Sequence, residues 1–173
     1  PETIPTETTR SRTDRVGDKM PSNQTNTENI EQGETKADGL KIGVVTGRFN
    51  DEVTYKLESG ALKALEEMGC RDIRAVRVPG AFEIPLAAKY LLDAGFDAVV
   101  ALGAVIRGET SHYDYVCSAV ERGCTEPQLA SGKPVAFGIL TTDNDEQALD
   151  RAGGKHGNKG AEAAQVAVEM VRL

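Results

Sequence analysis

Apolar positions fall into two regimes along the 173-residue chain. Residues 1–38 hold five aliphatic residues, Ile4, Val16, Met20, Ile30 and Ala37, and no aromatic one. Thr, Glu, Asn and Arg dominate there. Such a segment buries too little apolar surface to offset its ordering entropy, so it reads as a disordered polar tail, with Met20 a candidate native start after a leader. From Leu40 the pattern changes. Lys41–Thr46 is a short apolar run ending at Gly47, the mark of a buried strand. Asn50 or Asp51 is placed to cap a helix over Glu52–Met68, whose Val53, Leu57, Ala61, Ala64, Leu65 and Met68 form one face, with Gly69 as its stop. Ile73–Val78 is a second strand, closed by Pro79 and Gly80. Pro85 suits the first turn of a helix running to about Ala94. Ala98–Leu102 is a third strand, and a helix from about His112 to Gly123 follows. Gly132, Lys133 and Pro134 break the chain before a fourth strand, Val135–Leu140. A short helix capped within Asp143–Asp145 runs to Arg151, a glycine-rich loop follows, and the last helix spans Ala161–Val171.

Four apolar strands separated by helices imply an α/β fold: a four-stranded parallel sheet covered on both faces, in three layers α/β/α. Ligands of such folds bind at the carboxyl ends of the strands. That rule singles out the loops Gly47–Asp51, Pro79–Glu83, Ile106–His112 and Thr141–Asp143. No internal repeat is evident.

Composition narrows the partners. There are 27 Asp and Glu against 20 Lys and Arg, a formal net charge of -7. That balance argues against nucleic acid, whose phosphates attract basic surfaces. No apolar run approaches the roughly 20 residues that span a bilayer, and the N-terminus has no apolar signal core. Cys70, Cys117 and Cys124 form no CxxC pair; the last two lie about 10 Å apart along one helix, too far for a disulfide. Reduced thiols and a cytoplasmic location are expected. With two histidines and no paired cysteines, no metal site is expected.

The loop GAVIRGETSHYDY carries the most chemistry. Gly108, Glu109 and Thr110 sit where a strand passes into a helix N-terminus, whose free N–H groups suit a phosphate. The structural alternative is an ordinary capped turn. His112, in the first helical turn, would face the same crevice, and a histidine there can move protons near neutral pH. In VPGAFEIP, Phe82 offers a stacking face and Glu83 an acceptor for hydroxyls; core packing and a helix-start charge are the plainer readings. Phe49, in GRFN, is an aromatic lid or a packing residue. Arg151, Lys155, His156 and Lys159 crowd around Gly153, Gly154 and Gly157 in RAGGKHGNKGAE, with Glu162 beside them, either an anion site or a solvated loop. Neither the dinucleotide fingerprint nor the P-loop spacing occurs.

GRFN, VPGAFEIP, GAVIRGETSHYDY, AFGILTTDN and RAGGKHGNKGAEAA stand in the order and at about the spacing seen in lumazine synthases, so residues 39–173 resemble that family. The resemblance implies a Rossmann- or flavodoxin-like fold and a homopentamer with active sites between neighbours, a 60-subunit shell being left open. It implies condensation of 5-amino-6-(D-ribitylamino)uracil with 3,4-dihydroxy-2-butanone 4-phosphate, a step of riboflavin biosynthesis, without cofactor or metal. Phe49 then stacks on the pyrimidine; Ala81, Phe82 and Glu83 hold the ribityl chain; Val105 and Ile106 line the ring pocket. Gly108, Glu109 and Thr110 cradle the phosphate, and His112 shuttles protons. Phe137, Arg151, Lys155 and Lys159 come from the adjoining subunit, Arg151 pairing with phosphate; His156 and Glu162 stand near the site. Residues 24–38 lack the strand with which family members usually begin, and the chain ends a little early for the last helix. A non-catalytic flavin- or lumazine-binding or cage-forming homologue is the alternative, disfavoured because storage needs neither His112 nor Arg151. The archaeal riboflavin synthases that share the fold are disfavoured because their substrates carry no phosphate.

Overall fold

The computed structural model describes residues 31–173, so the greater part of the polar tail, with Met20, lies outside the described residues. Strand β1 (Lys41–Gly47) leads to helix α1 (Asp51–Glu67), β2 (Asp72–Val78), a 3₁₀ turn (Ala81–Glu83), α2 (Ile84–Asp93), β3 (Ala98–Ile106), α3 (His112–Ser131) and β4 (Val135–Thr142). Helix α4 (Asp145–Arg151), the short strands β5 (Ala152–Gly154) and β6 (Gly157–Asn158), and α5 (Lys159–Arg172) complete the order. The main sheet is parallel throughout, in the order β2-β1-β3-β4.

The period-two alternation of a strand sorts its side chains onto two faces. Val44, Val100, Leu102 and Leu140 pack with Leu57 and Leu65 of α1 and Ala164 and Val168 of α5. Val45, Val99, Ala101 and Ile139 pack with Leu91 of α2 and with Val120 and Cys124 of α3. Strands β1 and β3 are covered on both faces, which is why they read as unbroken apolar runs, whereas the edge strand β2 alternates half-buried apolar residues with exposed ones. Gly160 shows how closely one layer fits: a Cβ there would stand 2.1 Å from the Leu57 carbonyl oxygen, so α5 starts against the α1 backbone. Residues read from composition as the end of the tail pack on this fold. Ala37 is fully buried and its N–H donates to Met68 O, while the Arg172 guanidinium donates to the Lys36 and Asp38 carbonyls.

Four local expectations are corrected. Helix α3 does not stop at Gly123 but runs on through Pro127 to Ser131, where Gly132 in the left-handed region (φ 65°) ends it. Gly123 is instead a contact point, since a Cβ there would meet the Pro85 ring. Strand β3 continues past Leu102 to Ile106, carried by pairing with β4 as far as Ile106↔Thr142. The glycine-rich segment is a two-stranded antiparallel hairpin rather than an open loop, and α5 begins at Lys159 because Asn158 Oδ1 accepts from the N–H groups of Gly160 and Ala161. Finally, the Asn50 side chain does not cap α1; its Nδ2 donates to Ala104 O at 2.9 Å.

Candidate functional site

Strand order reverses between β1 and β3, and a cavity of about 320 Å³ opens at their carboxyl ends. Phe49 and Asn50 follow β1, Gly80, Ala81 and Phe82 follow β2, and Ala104, Val105 and Ile106 end β3. Gly108, Thr110, His112, Tyr113 and Val116 close the other wall. Pairing between β1 and β3 ends at Thr46↔Leu102, so Gly103 to Ile106, the final four residues of β3, have no β1 partner on this side. The Ala104 carbonyl there accepts the Asn50 amide instead, and Val105 and Ile106 line the crevice beyond it. Phe49 is 72% exposed and Phe82 62%, unusual for phenylalanines outside a binding surface.

Within the Gly108–Thr110 turn, the His112 N–H donates to Thr110 Oγ1 at 3.4 Å, which leaves the Thr110 hydroxyl proton available to an anion. Arg107 stands just before this turn and is bonded to Asp143 and Asp114, with its guanidinium 4.0 Å from the Tyr113 ring centroid. Burial pushes the Tyr113 phenol upward, so it stays protonated at neutral pH and serves as a wall rather than a base. Burial likewise raises Cys70 and Cys117 and pushes Cys124 up to about 12, so none of the three thiols is a ready thiolate. Among the described residues, no lysine or arginine lines this cavity.

The cations lie in a second cleft, of about 390 Å³, along the open edge of β4. Phe137 (45% exposed), Arg151, Lys159 and Glu162 line it. The β5–β6 hairpin folds back on itself, which brings Arg151 at the end of α4 and Lys159 at the start of α5 to the same place. The half-buried Arg151 guanidinium donates to Gln147 O at 3.0 Å, and Lys159 Nζ lies 2.6 Å from Glu162 Oε2.

Of the residues singled out from sequence, the first cavity gathers Phe49, Ala81, Phe82, Val105, Ile106, Gly108, Thr110 and His112, and the second gathers Phe137, Arg151, Lys159 and Glu162. Four line neither. Glu83 Oε2 accepts the Gly80 N–H at 2.8 Å and so closes the 3₁₀ turn. Glu109 is exposed between Gly108 and Thr110. Lys155 pairs with Asp150 at 3.1 Å, and His156, on the same hairpin, donates its backbone N–H to Asp150 O. Sequence reasoning missed Tyr113 and Val116 as walls. Their signal was helical spacing, since Val116 lies one turn beyond His112 and Tyr113. Among the described residues no group of three His, Cys, Asp or Glu is arranged to hold a metal ion.

A parallel α/β sheet with an aromatic-lipped cavity at its switch point defines a protein that binds small molecules at its strand ends. The chain belongs to the 6,7-dimethyl-8-ribityllumazine synthase family, whose model matches residues 39–173. A relative from Bdellovibrio bacteriovorus, named 6,7-dimethyl-8-ribityllumazine synthase, is 60% identical over 134 residues, which cover 78% of this chain and 75% of the relative. The activity is accordingly that of a transferase in riboflavin biosynthesis, acting on small molecules to form 6,7-dimethyl-8-ribityllumazine; nothing in these likenesses favours a non-catalytic homologue.

Proposed function

We propose that the two clefts are halves of one active site, closed when the β4 edge of a neighbouring copy meets the cavity at the β1–β3 switch point. One observation carries this reading: the cavity that has the aromatic faces and His112 has no cation, while Arg151 and Lys159 line a different cleft. A phosphorylated substrate held in the first alone would leave its charge without a cationic partner. Exposed Leu86, Tyr90, Leu129 and Met170 also favour association. The assembly is a homo-oligomer, a pentamer by resemblance, with a larger shell open to it. Three free cysteines fit a cytoplasmic enzyme, and no helix among the described residues is long and apolar enough to cross a membrane.

In this site the pyrimidine of 5-amino-6-(D-ribitylamino)uracil stacks on Phe49, with its other side against Val105 and Ile106 at the end of β3. The ribityl chain runs along Ala81 and Phe82 toward Glu83. The phosphate of 3,4-dihydroxy-2-butanone 4-phosphate rests on the Gly108–Glu109–Thr110 turn and pairs with the neighbour's Arg151. Phe137 and Lys159 of that neighbour close the pyrimidine side, with Lys155, His156 and Glu162 at the margin. The uracil amine attacks the ketone and forms an imine with loss of water. Phosphate then leaves, the enol tautomerises, and the second amine closes the ring with loss of water. Each step moves a proton, and His112 stands between the phosphate turn and the ring pocket to carry it. Holding two reactants side by side supplies much of the remaining acceleration. Sedimentation run alongside lumazine formation tests the reading: activity should track the multi-chain species as the protein is diluted or mildly dissociated. A fully active monomer contradicts it.

A further inference from the structure

Among the described residues Asn50 is the one non-glycine residue with positive φ, at φ 60° and ψ 49°. An L-residue keeps this conformation only where its surroundings hold it, and such residues cluster at functional sites. Here the holding contacts are visible. The Asn50 carbonyl accepts the N–H groups of Val53 and Thr54, both at 3.0 Å, and so starts α1. Its side-chain amide crosses the crevice to Ala104 O at 2.9 Å. Ala104 lies two residues beyond the final β1–β3 pair, so the amide takes the place of a missing ladder donor. On the other flank the Arg48 N–H donates to Val78 O at 2.8 Å and the Phe49 N–H to Pro79 O at 3.1 Å. Residues 48–50 therefore form a strap over the end of β1, anchored on the β2 side by backbone and on the β3 side by the Asn50 amide alone. Phe49 stands between the anchors. Its ring is mostly exposed, so side-chain packing does little to aim it, and the strap sets its direction.

We infer that Asn50 is a positioning residue for the pyrimidine substrate: its amide fixes the strap so that Phe49 faces Val105 and Ile106 at the end of β3. The inference rests on the reading that Phe49 stacks on the pyrimidine. Two substitutions separate the backbone from the amide. Asn50→Gly keeps the left-handed conformation at no steric cost and removes the amide. Asn50→Asp keeps the shape and the acceptor oxygen and loses only the donor, setting a carboxylate against the Ala104 carbonyl.

The test is calorimetric titration of the assembled enzyme with 5-amino-6-(D-ribitylamino)uracil alone, together with KM for each substrate. Both variants should bind the uracil on the order of 5-fold more weakly, the scale of one lost hydrogen bond. KM for the butanone phosphate should stay within about twofold, because no phosphate contact changes. A merely structural role would weaken both substrates together, and that result overturns the inference. So does wild-type uracil binding in either variant, the Gly variant being decisive because it removes the amide without adding a charge. If the unaltered enzyme itself does not bind the uracil, the stacking reading falls, and with it this role of Asn50.

Discussion

The two clefts of one chain are unlike in almost every physical respect. The cavity at the switch point is made by strand ends and lined by aromatic rings and the His112 imidazole. The cleft along β4 is made by a strand edge and two helix ends, and Arg151 and Lys159 give it its charge. The first matches a flat heterocycle and carries a proton; the second matches an anion. Neither has the full set that a reaction joining a uracil to a phosphorylated ketone needs. On the proposed reading, the difference teaches that catalytic competence here belongs to an interface rather than to a fold.

The largest effects should come from removing the defining group of each cleft, and they should differ in kind. His112→Ala should lower kcat by about 10²-fold, the loss of one acid–base group, while binding of both substrates changes little. Arg151→Ala should instead raise KM for the butanone phosphate, by roughly 10- to 150-fold for a lost charge-assisted contact of about 1.5–3 kcal/mol. KM for the uracil should move much less. Steady-state kinetics with each substrate varied in turn checks both. If the two variants share one signature, the division of labour between the clefts is wrong.

A smaller effect sharpens the comparison from outside both clefts. The buried Glu58 carboxylate on α1 accepts a two-point bond from Arg77 on β2, which holds it below the usual carboxylate range. A folded-state value depressed in this way contributes stability that is present above the unfolded carboxylate value, about 4.3, and is lost as pH falls through the folded value. Glu58→Gln should lower the melting temperature at neutral pH, with a difference from wild type that narrows on acidification. Calorimetric melting at a series of pH values reads it. A gap that stays constant with pH would show that the charge of Glu58 does not matter, and unchanged KM values would confirm that this pair serves the fold alone.

How legible the molecule was in its sequence follows the same division. The positions of β1 to β4 along the chain were readable, most plainly β1 and β3, because strands buried on both sides become apolar runs, and the strand-end rule then placed Phe49, Ala81, Phe82, Thr110 and His112 near one crevice. What escaped depended on contacts distant in sequence. Gly123 and Gly160 look like breaks, yet each is a glycine because another segment, Pro85 or the Leu57 carbonyl, presses on it. Gly153 and Gly157 suggested a loose loop, and only the pairing of Ala152 with Asn158 shows the hairpin that brings Arg151 and Lys159 together. Asn50 read as a cap because local spacing cannot reveal an acceptor 54 residues away. The separation of the cations from His112 within one chain was also invisible to local pattern; it appeared in the family likeness and then in the two clefts.

One experiment bears directly on the shared site. His112→Ala and Arg151→Ala proteins are each assembled alone, and then dissociated and reassembled together, with lumazine formation followed by fluorescence and mixed assembly verified by mass. Some interfaces of the mixed oligomer pair an intact switch-point cavity with an intact β4 cleft. The account predicts that activity reappears in the mixture well above the sum of the two separate variants. Mixed oligomers that form yet remain at that sum would contradict it, because His112 and Arg151 would then not meet across a subunit boundary.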